Sequence, residues 1–161
     1  MKLMSIVPKA NQRVAQLIDA NLDRAREGLR VIEDWCRFGI NNKDLVVALK
    51  DWRQKLGQRH HERYKKARST AKDKGLGLQH HAQAGRDSPQ KIVEANCARV
   101  QEALRVLEEF ARKTDPELAS EAALIRYGLY DLELKILKVT IKEERLEKLQ
   151  SCNLCLITSP Q

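Results

Sequence analysis

The sequence predicts an all-α fold of two tandem-duplicated helical hairpins, which together form a pseudo-twofold helical bundle. Residues 18–38 return in the same register as residues 93–113, and nine residue types are identical across the two stretches. In both stretches apolar residues recur at alternating spacings of four and three, which is the period of one buried helix face. A repeat of whole amphipathic segments indicates two related structural units.

The first unit, about residues 8–66, contains two predicted helices. The first helix carries the repeated apolar stripe and is expected to end at a Gly39 cap. Asn42 or Asp44 is expected to begin the second helix, which has its own regularly spaced apolar face and runs to about Lys66. Two consecutive helices with a short connection predict a helical hairpin.

The second unit, about residues 88–150, repeats this plan. Ser88 followed by Pro89 is typical of a helix start, because serine caps the first turn and proline tolerates its first position. Asp115 followed by Pro116 predicts the start of the fourth helix in the same way. That helix is expected to continue through the charged segment before residue 150.

A polar stretch of about residues 67–90 separates the two units. It contains glycine and has no helical period, so it predicts a long loop of the kind that is often functional. The chain length of 161 residues fits a single domain. We therefore expect one helical domain over residues 1–150.

Charge and composition narrow the classes of partner. The net charge of +8 and the isoelectric point near 9.5 favour anionic ligands. Aromatic residues make up only 4% and the basic residues alternate with acids, so nucleic acid is not an expected partner. The sequence has neither a long apolar run nor a signal-peptide core, which predicts a cytoplasmic protein without a membrane partner.

Cysteine and histidine do not predict a metal site or a redox site. Cys36 and Cys97 fall on the apolar stripes, where they are expected to be small buried hydrophobic residues. Cys152 and Cys155 form a C-x-x-C motif without the further ligands that zinc needs. Four histidines in two doublets are expected to be exposed and without a ligand: His60, His61, His80 and His81.

The repeat keeps polar residues as well as apolar ones. The kept polar residues are Asn21, Arg24, Glu27, Arg30, Glu33 and Arg37, which return as Asn96, Arg99, Glu102, Arg105, Glu108 and Arg112. The asparagine and the first arginine of each copy fall inside the apolar arc, where an unpaired guanidinium costs several kcal/mol. Either these arginines bind phosphate in a pocket between the hairpins, or glutamates of the partner hairpin neutralise them.

The outer polar residues have two interpretations. Their spacings of three and four are those of solvated ion-pair ladders on any helix. Alternatively, Glu33 and Glu108, each followed by a second acid, present carboxylates to magnesium. In the loop, Arg68, Asp73 and Arg86 have the charges expected of a lid over a phosphorylated ligand, although no standard nucleotide-binding motif is present.

Several motifs are similar to those of one family. They are DANLDRAREGLRVIEDWCRF and EANCARVQEALRVLEEF, the loop elements Asp73-x-Gly75 and Arg86-x-Ser88, and RYGLYDLE at residues 126–133. Over residues 10–140 the chain resembles the helical domain at the N-terminus of certain bacterial thiamine-phosphate synthases. The resemblance implies a hydroxymethylpyrimidine-phosphate kinase that uses ATP and Mg²⁺ to make the diphosphate. A non-catalytic docking or regulatory module of the synthase is the alternative.

The resemblance and the repeat together predict the residues of the site. The expected catalytic residues are Arg24, Arg99, Glu27 and Glu102. The expected substrate-binding residues are Asn21, Asn96, Arg30, Arg105, Arg53, Arg126, Asp73 and Arg86, and the expected magnesium ligands are Glu33 and Glu108. The expected partners are a phosphorylated pyrimidine, a nucleotide, the C-terminal synthase barrel and a second copy of the chain.

The tail has a separate interpretation. The segment LEKLQSCNLCLITSP is similar to the opening strand of the synthase barrel, so residues 151–161 are predicted to begin a truncated second domain. A complete barrel of this type needs roughly 200 residues or more. We therefore expect no thiamine-phosphate synthase activity from this chain.

Overall fold

The structure, a computed structural model, describes residues 9–69 and 86–152. Every regular element in these two ranges is helical, which confirms the all-α prediction. The elements are α1 (Lys9–Asp34), a π-helical turn (Trp35–Gly39), α2 (Lys43–Arg59), α3 (Glu62–Lys65), α4 (Pro89–Ala111) and α5 (Pro116–Ser151).

The predicted helix starts are confirmed by their capping hydrogen bonds. The side chains of Asn42, Ser88 and Asp115 accept from the backbone N–H three residues later, at 3.2, 3.3 and 3.1 Å. A proline opens both α4 and α5. Each cap satisfies a backbone donor that the first helical turn leaves unpaired.

The first hairpin departs from the prediction at two places. Gly39 does not cap α1 in the left-handed conformation; it ends the π-helical turn, and Asn41 takes the positive φ of 46° instead. Asparagine tolerates this conformation better than most residues with a side chain. The second helix does not continue to Lys66, because it breaks at His60 and resumes as the short α3.

The predicted apolar stripes form the core. Their central members, such as Leu22, Leu29, Val100 and Leu107, are fully buried. The cysteine of each stripe is also buried, as predicted, and burial raises the pKa of Cys36 to about 12. A thiol with so high a pKa is protonated at neutral pH and packs as a hydrophobic side chain.

The two copies of the repeated helix, α1 and α4, lie against each other in opposite directions. Just after the end of α1, Trp35 donates from Nε1 to Oγ1 of Thr140 in α5. Because α5 runs back along α4, this part of α5 lies near the start of α4. At the other end, Asn11 shares a cavity with Thr114, just beyond the end of α4. No helix within the described ranges has the length and apolar character that a membrane crossing needs.

Candidate functional site

A groove of about 640 Å³ lies between α1 and α4. Ten of the described residues line it, and they form five pairs whose members are equivalent in the repeat. The pairs are Asn21 and Asn96, Arg24 and Arg99, Glu27 and Glu102, Gly28 and Ala103, and Val31 and Val106. The structure therefore brings together the four residues predicted as catalytic and the two asparagines predicted to bind substrate.

Gly28 sets the floor of the groove. A Cβ atom on this residue would lie 2.5 Å from Cγ2 of Val100 and 3.4 Å from the backbone oxygen of Asn96. Real Cβ atoms do not approach other atoms as closely as 2.5 Å, so a side chain here would separate the helices. The absence of a side chain lets α1 and α4 cross closely beneath the groove.

The two asparagines are buried and oriented by their own helices. Asn21 donates from Nδ2 to the carbonyl oxygen of Leu17 at 2.9 Å, and Asn96 donates in the same way to Ile92 at 2.7 Å. This bond fixes each side chain, so that Oδ1 is its remaining acceptor. Oδ1 of Asn21 accepts from Nη1 of Arg24 at 3.5 Å, a long hydrogen bond.

The charged residues of the groove have no ionic partners within the described ranges. Arg24 and Arg99 are exposed at the groove, and no carboxylate of residues 9–69 or 86–152 comes within 4 Å of either guanidinium. Glu27 and Glu102 are also exposed and lack a cationic partner in the same ranges. Two cations and two carboxylates thus line a shared opening without neutralising one another at close range.

Arg53 and Arg126, predicted to bind substrate, do not line the groove. Arg53 donates from Nε to Glu33 at 2.8 Å, and Arg126 donates from Nη2 to Glu108 at 2.9 Å. These pairs connect the two helices of each hairpin, and we call them the hairpin ion pairs. The alternative to phosphate binding was that glutamates of the partner hairpin neutralise Arg24 and Arg99. The hairpin ion pairs are a neutralisation of this kind, but they form within each hairpin and at Arg53 and Arg126.

Glu33 and Glu108, which were predicted to bind magnesium, are the acceptors in the hairpin ion pairs. Glu33 is buried, and its two carboxylate oxygens accept from Nε and Nη2 of Arg53. Burial opposes ionisation of Glu108, but hydrogen bonds from Arg126 outweigh it and lower the pKa of this carboxyl. A buried carboxylate needs such a partner, so the structure gives these residues guanidinium neighbours and not an open site for a cation.

The remaining predicted substrate-binding residues lie outside the groove lining or outside the described ranges. Arg30 pairs with Asp34 at 2.9 Å, and Arg105 pairs with Glu109 at 2.7 Å. Each is an exposed ion pair between two residues of the same helix. Arg86 lies half-buried just before α4 and is not among the groove residues. Asp73 lies outside the described residues, as do His80, His81, Cys155 and residues 153–161 of the tail.

A cluster that the sequence did not predict connects α1 to the segment after α3. His60 was predicted to be exposed, and this is wrong: it is buried, and its Nε2 lies 2.7 Å from Oδ1 of Asp19. Arg68 donates to both oxygens of Asp19, at 2.7 and 3.1 Å, and also pairs with Asp23. Burial disfavours the charge of Asp19, but the bonds from Arg68 and His60 outweigh it and lower its pKa.

This cluster is a network of satisfied partners. Asp19, Asp23 and His60 lie close enough to share a cation, but the guanidinium of Arg68 already occupies the two carboxylates. The spacing of four between Asp19 and Asp23 places both carboxylates on one face of α1, and this is the sequence signal that could have indicated the cluster. Arg68, one of the residues predicted to form a lid, holds the segment after α3 against α1 through these two aspartates.

The chain matches the model of the ThiD2 family over residues 16–135. It is 66% identical over all 161 residues to a thiamine-phosphate synthase of Prochlorococcus marinus (strain MIT 9303), of which it covers 46%. It is 64% identical over 160 residues to a thiamine-phosphate synthase of Synechococcus sp. (strain CC9311), covering 99% of the chain and 45% of that protein. The chain thus spans about half the length of these relatives. No solved structure matches it. By this match over most of its length, the chain belongs to the ThiD2 family.

Proposed function

We propose that this chain transfers a phosphoryl group from ATP to hydroxymethylpyrimidine phosphate, making the diphosphate for thiamine biosynthesis. In the full-length protein it would be the N-terminal domain beside a synthase barrel. Its relatives are named thiamine-phosphate synthases, which supports a role in thiamine biosynthesis. We expect the synthase barrel to join the pyrimidine diphosphate to a thiazole phosphate. A kinase that supplies the diphosphate would therefore be a chemically consistent neighbour for the barrel.

The observation that carries the proposal is the pair of guanidiniums at the groove that have no carboxylate partner among residues 9–69 and 86–152. Both substrates are phosphate esters, and bringing them together requires cations between them. Arginine stays charged at any relevant pH and grips phosphate through two parallel N–H donors. Arg24 and Arg99 supply two such groups in a groove whose volume is within the usual range for small-molecule sites.

The reaction asks little more of the protein than position and charge. An oxygen of the acceptor phosphate attacks the γ-phosphorus of ATP, the bond from that phosphorus to the β–γ bridging oxygen breaks, and ADP leaves. The acceptor phosphate has a second pKa near 6, so it is mostly ionised at neutral pH and needs no general base. Among the described residues, the groove lining contains no histidine, serine or cysteine, which is compatible with a reaction that needs no general base.

Magnesium is part of the proposal, and the groove has a donor set that suits it. Mg²⁺ prefers carboxylate, phosphate and water oxygens. Glu27 and Glu102 face the groove without cationic partners in the described ranges, so they are the residues that would hold the ion, directly or through water. When bound, magnesium neutralises negative charge between the phosphates.

The direct test is to incubate the 161-residue chain with ATP, MgCl₂ and hydroxymethylpyrimidine phosphate, and to measure ADP and the diphosphate by mass spectrometry. We expect both products in equal amounts, and neither product without the acceptor. Omitting magnesium should stop turnover. If the chain is folded but neither binds ATP nor forms the diphosphate, the docking-module alternative replaces the kinase.

A further inference from the structure

We infer that the groove consists of two ring-binding ends with a shared phosphate-binding centre, so that each substrate enters from its own end. This inference rests on the proposed function and adds which side chains meet which part of each substrate. Each end is built by one residue of α1 and one of α4. The sequence repeat by itself would assign the halves of the site to separate hairpins.

The helix register defines the ends. Gly28 lies against Val100 and the backbone of Asn96, so position 28 of α1 is opposite the stretch 96–100 of α4. Because the helices are antiparallel, positions further along α1 face earlier positions of α4. Asn96 is therefore near Val31, which defines the Asn96 end. By the symmetry of the repeat Asn21 is near Val106, which defines the Asn21 end.

The same register places all four charged side chains in the centre. Arg24 comes opposite Glu102, and Glu27 comes opposite Arg99, on the two sides of the crossing point. From Asn21 to Val31 the groove runs about 15 Å along α1, at 1.5 Å per residue. The order along the groove is thus amide and valine, then charges, then valine and amide.

Each end has the chemistry to hold a planar ring that carries an amino group. Each asparagine offers Oδ1 as an acceptor, since its Nδ2 is engaged with its own helix. Oδ1 of Asn21 accepts a long bond from Arg24 at 3.5 Å and keeps a second lone pair for the ring. The valine offers an apolar surface for the ring face, and Val31 is 41% exposed. Adenine and the aminopyrimidine of the acceptor both present an exocyclic N–H donor on a six-membered ring, so equivalent ends suit both substrates.

This arrangement explains why the polar residues are duplicated on a single groove. When ATP reacts with a phosphorylated pyrimidine, a ring lies at each outer end and the phosphates lie between them, with the ribose of ATP between its ring and its phosphates. The groove repeats that order about its centre, with rings at the asparagines and phosphates at Arg24 and Arg99. The donor and acceptor phosphates would then meet above Gly28 and Ala103, where no large side chain intervenes.

The experiment uses two variants at each end. Asn21→Leu and Val106→Trp alter the Asn21 end, whereas Asn96→Leu and Val31→Trp alter the Asn96 end. Calorimetry measures the Kd of a non-hydrolysable ATP analogue and, separately, of hydroxymethylpyrimidine phosphate. We expect both variants of one end to weaken the nucleotide about tenfold and leave the pyrimidine phosphate within threefold, with the reverse at the other end.

The grouping of the variants decides the inference. Effects that group by helix, so that Asn21→Leu resembles Val31→Trp, would overturn it, and so would four variants that weaken both ligands equally. Because the readout is binding, it remains decisive if the parent chain shows no turnover, an outcome that removes only the proposed kinase activity. If an asparagine variant does not fold, the partly exposed valine of the same end carries the test.

Discussion

Two sets of duplicated arginines differ in what surrounds them. Arg53 and Arg126 each bind a glutamate of the same hairpin, and the side chain of Arg126 is only 9% exposed. Arg24 and Arg99 sit at the groove with no carboxylate within 4 Å in the described ranges. Duplication alone therefore does not distinguish an arginine that holds the fold from one that is available to a ligand.

The difference predicts separate consequences for stability and binding. Removing the arginine of a hairpin ion pair leaves its glutamate with only a more exposed arginine of the same helix, Arg30 for Glu33 and Arg105 for Glu108, so the hairpin ion pairs should control stability. Removing a groove arginine leaves no buried charge behind, so it should affect ligands and leave unfolding nearly unchanged. The following predictions test this contrast.

Arg126→Ala should lower the free energy of unfolding by about 2 to 4 kcal/mol, because it leaves Glu108 without its closest cation and removes the bond to Tyr130. Urea denaturation followed by circular dichroism measures the effect. The matched control is Arg24→Ala, for which we expect a change within about 0.5 kcal/mol. Equal losses for the two variants would show that the groove arginine is also structural.

Gly28→Ala should lower the free energy of unfolding by about 1 to 2 kcal/mol. The new methyl would contact Val100, whose branched side chain has one preferred rotamer in a helix, and that cost should exceed the gain in helix propensity. Gly57→Ala is the control, since its methyl meets only the Arg26 guanidinium at 3.6 Å. It should stabilise the chain by up to about 1 kcal/mol. Thermal melts showing the same sign for both variants would contradict the close crossing of α1 and α4.

Asp115→Asn should cost about 1 kcal/mol at pH 7, and the cost should shrink as the pH falls below about 4. Burial opposes the charge of Asp115, but hydrogen bonds from Tyr64, the backbone of Leu118 and Arg63 outweigh it and lower its pKa. A lowered folded-state pKa gives stability that is present above about pH 4 and is lost as pH falls through the folded value. Asparagine keeps the oxygen that caps the helix, but it replaces the oxygen that accepts from Tyr64 and Arg63 with an NH2 group, so the variant removes the charge together with these two bonds. Denaturation curves measured from pH 7 to pH 3 should draw closer together as the pH falls below about 4. A difference that stays constant over this range would mean that the ionised carboxylate is not the cause.

The sequence predicted the helices and the groove residues for the same reason. Apolar spacing marks the buried faces of α1 and α4, and Asn21 and Arg24 were noticeable because they interrupt that spacing on the side that faces the other copy. Cap residues such as Ser88 and Asp115 act locally, so their effect is visible without tertiary structure. These predictions depend on neighbours within one helix or on one repeat.

The departures at Gly39 and at His60 are local, but the contacts at the site that the sequence did not predict involve partners that are distant in the sequence. The contact of Arg53 with Glu33 depends on how α2 lies against α1, which the helix period does not determine. His60 can be buried because Asp19, 41 positions earlier, accepts a hydrogen bond from its imidazole. The closeness of α1 and α4 at Gly28 likewise depends on the register between the hairpins, although a glycine within the apolar arc was a signal for it.

The most direct test of the central claim compares conservative lysine variants of the two arginine sets. Arg24→Lys and Arg99→Lys keep the charge but lose the two-pronged donor, so each should lower kcat/KM for hydroxymethylpyrimidine phosphate or ATP about 10- to 100-fold while the unfolding midpoint stays unchanged. Arg53→Lys and Arg126→Lys should do the opposite, lowering the midpoint and leaving kcat/KM within a few-fold when measured well below it. If the groove variants turn over like the parent chain, the groove is not the site of phosphoryl transfer.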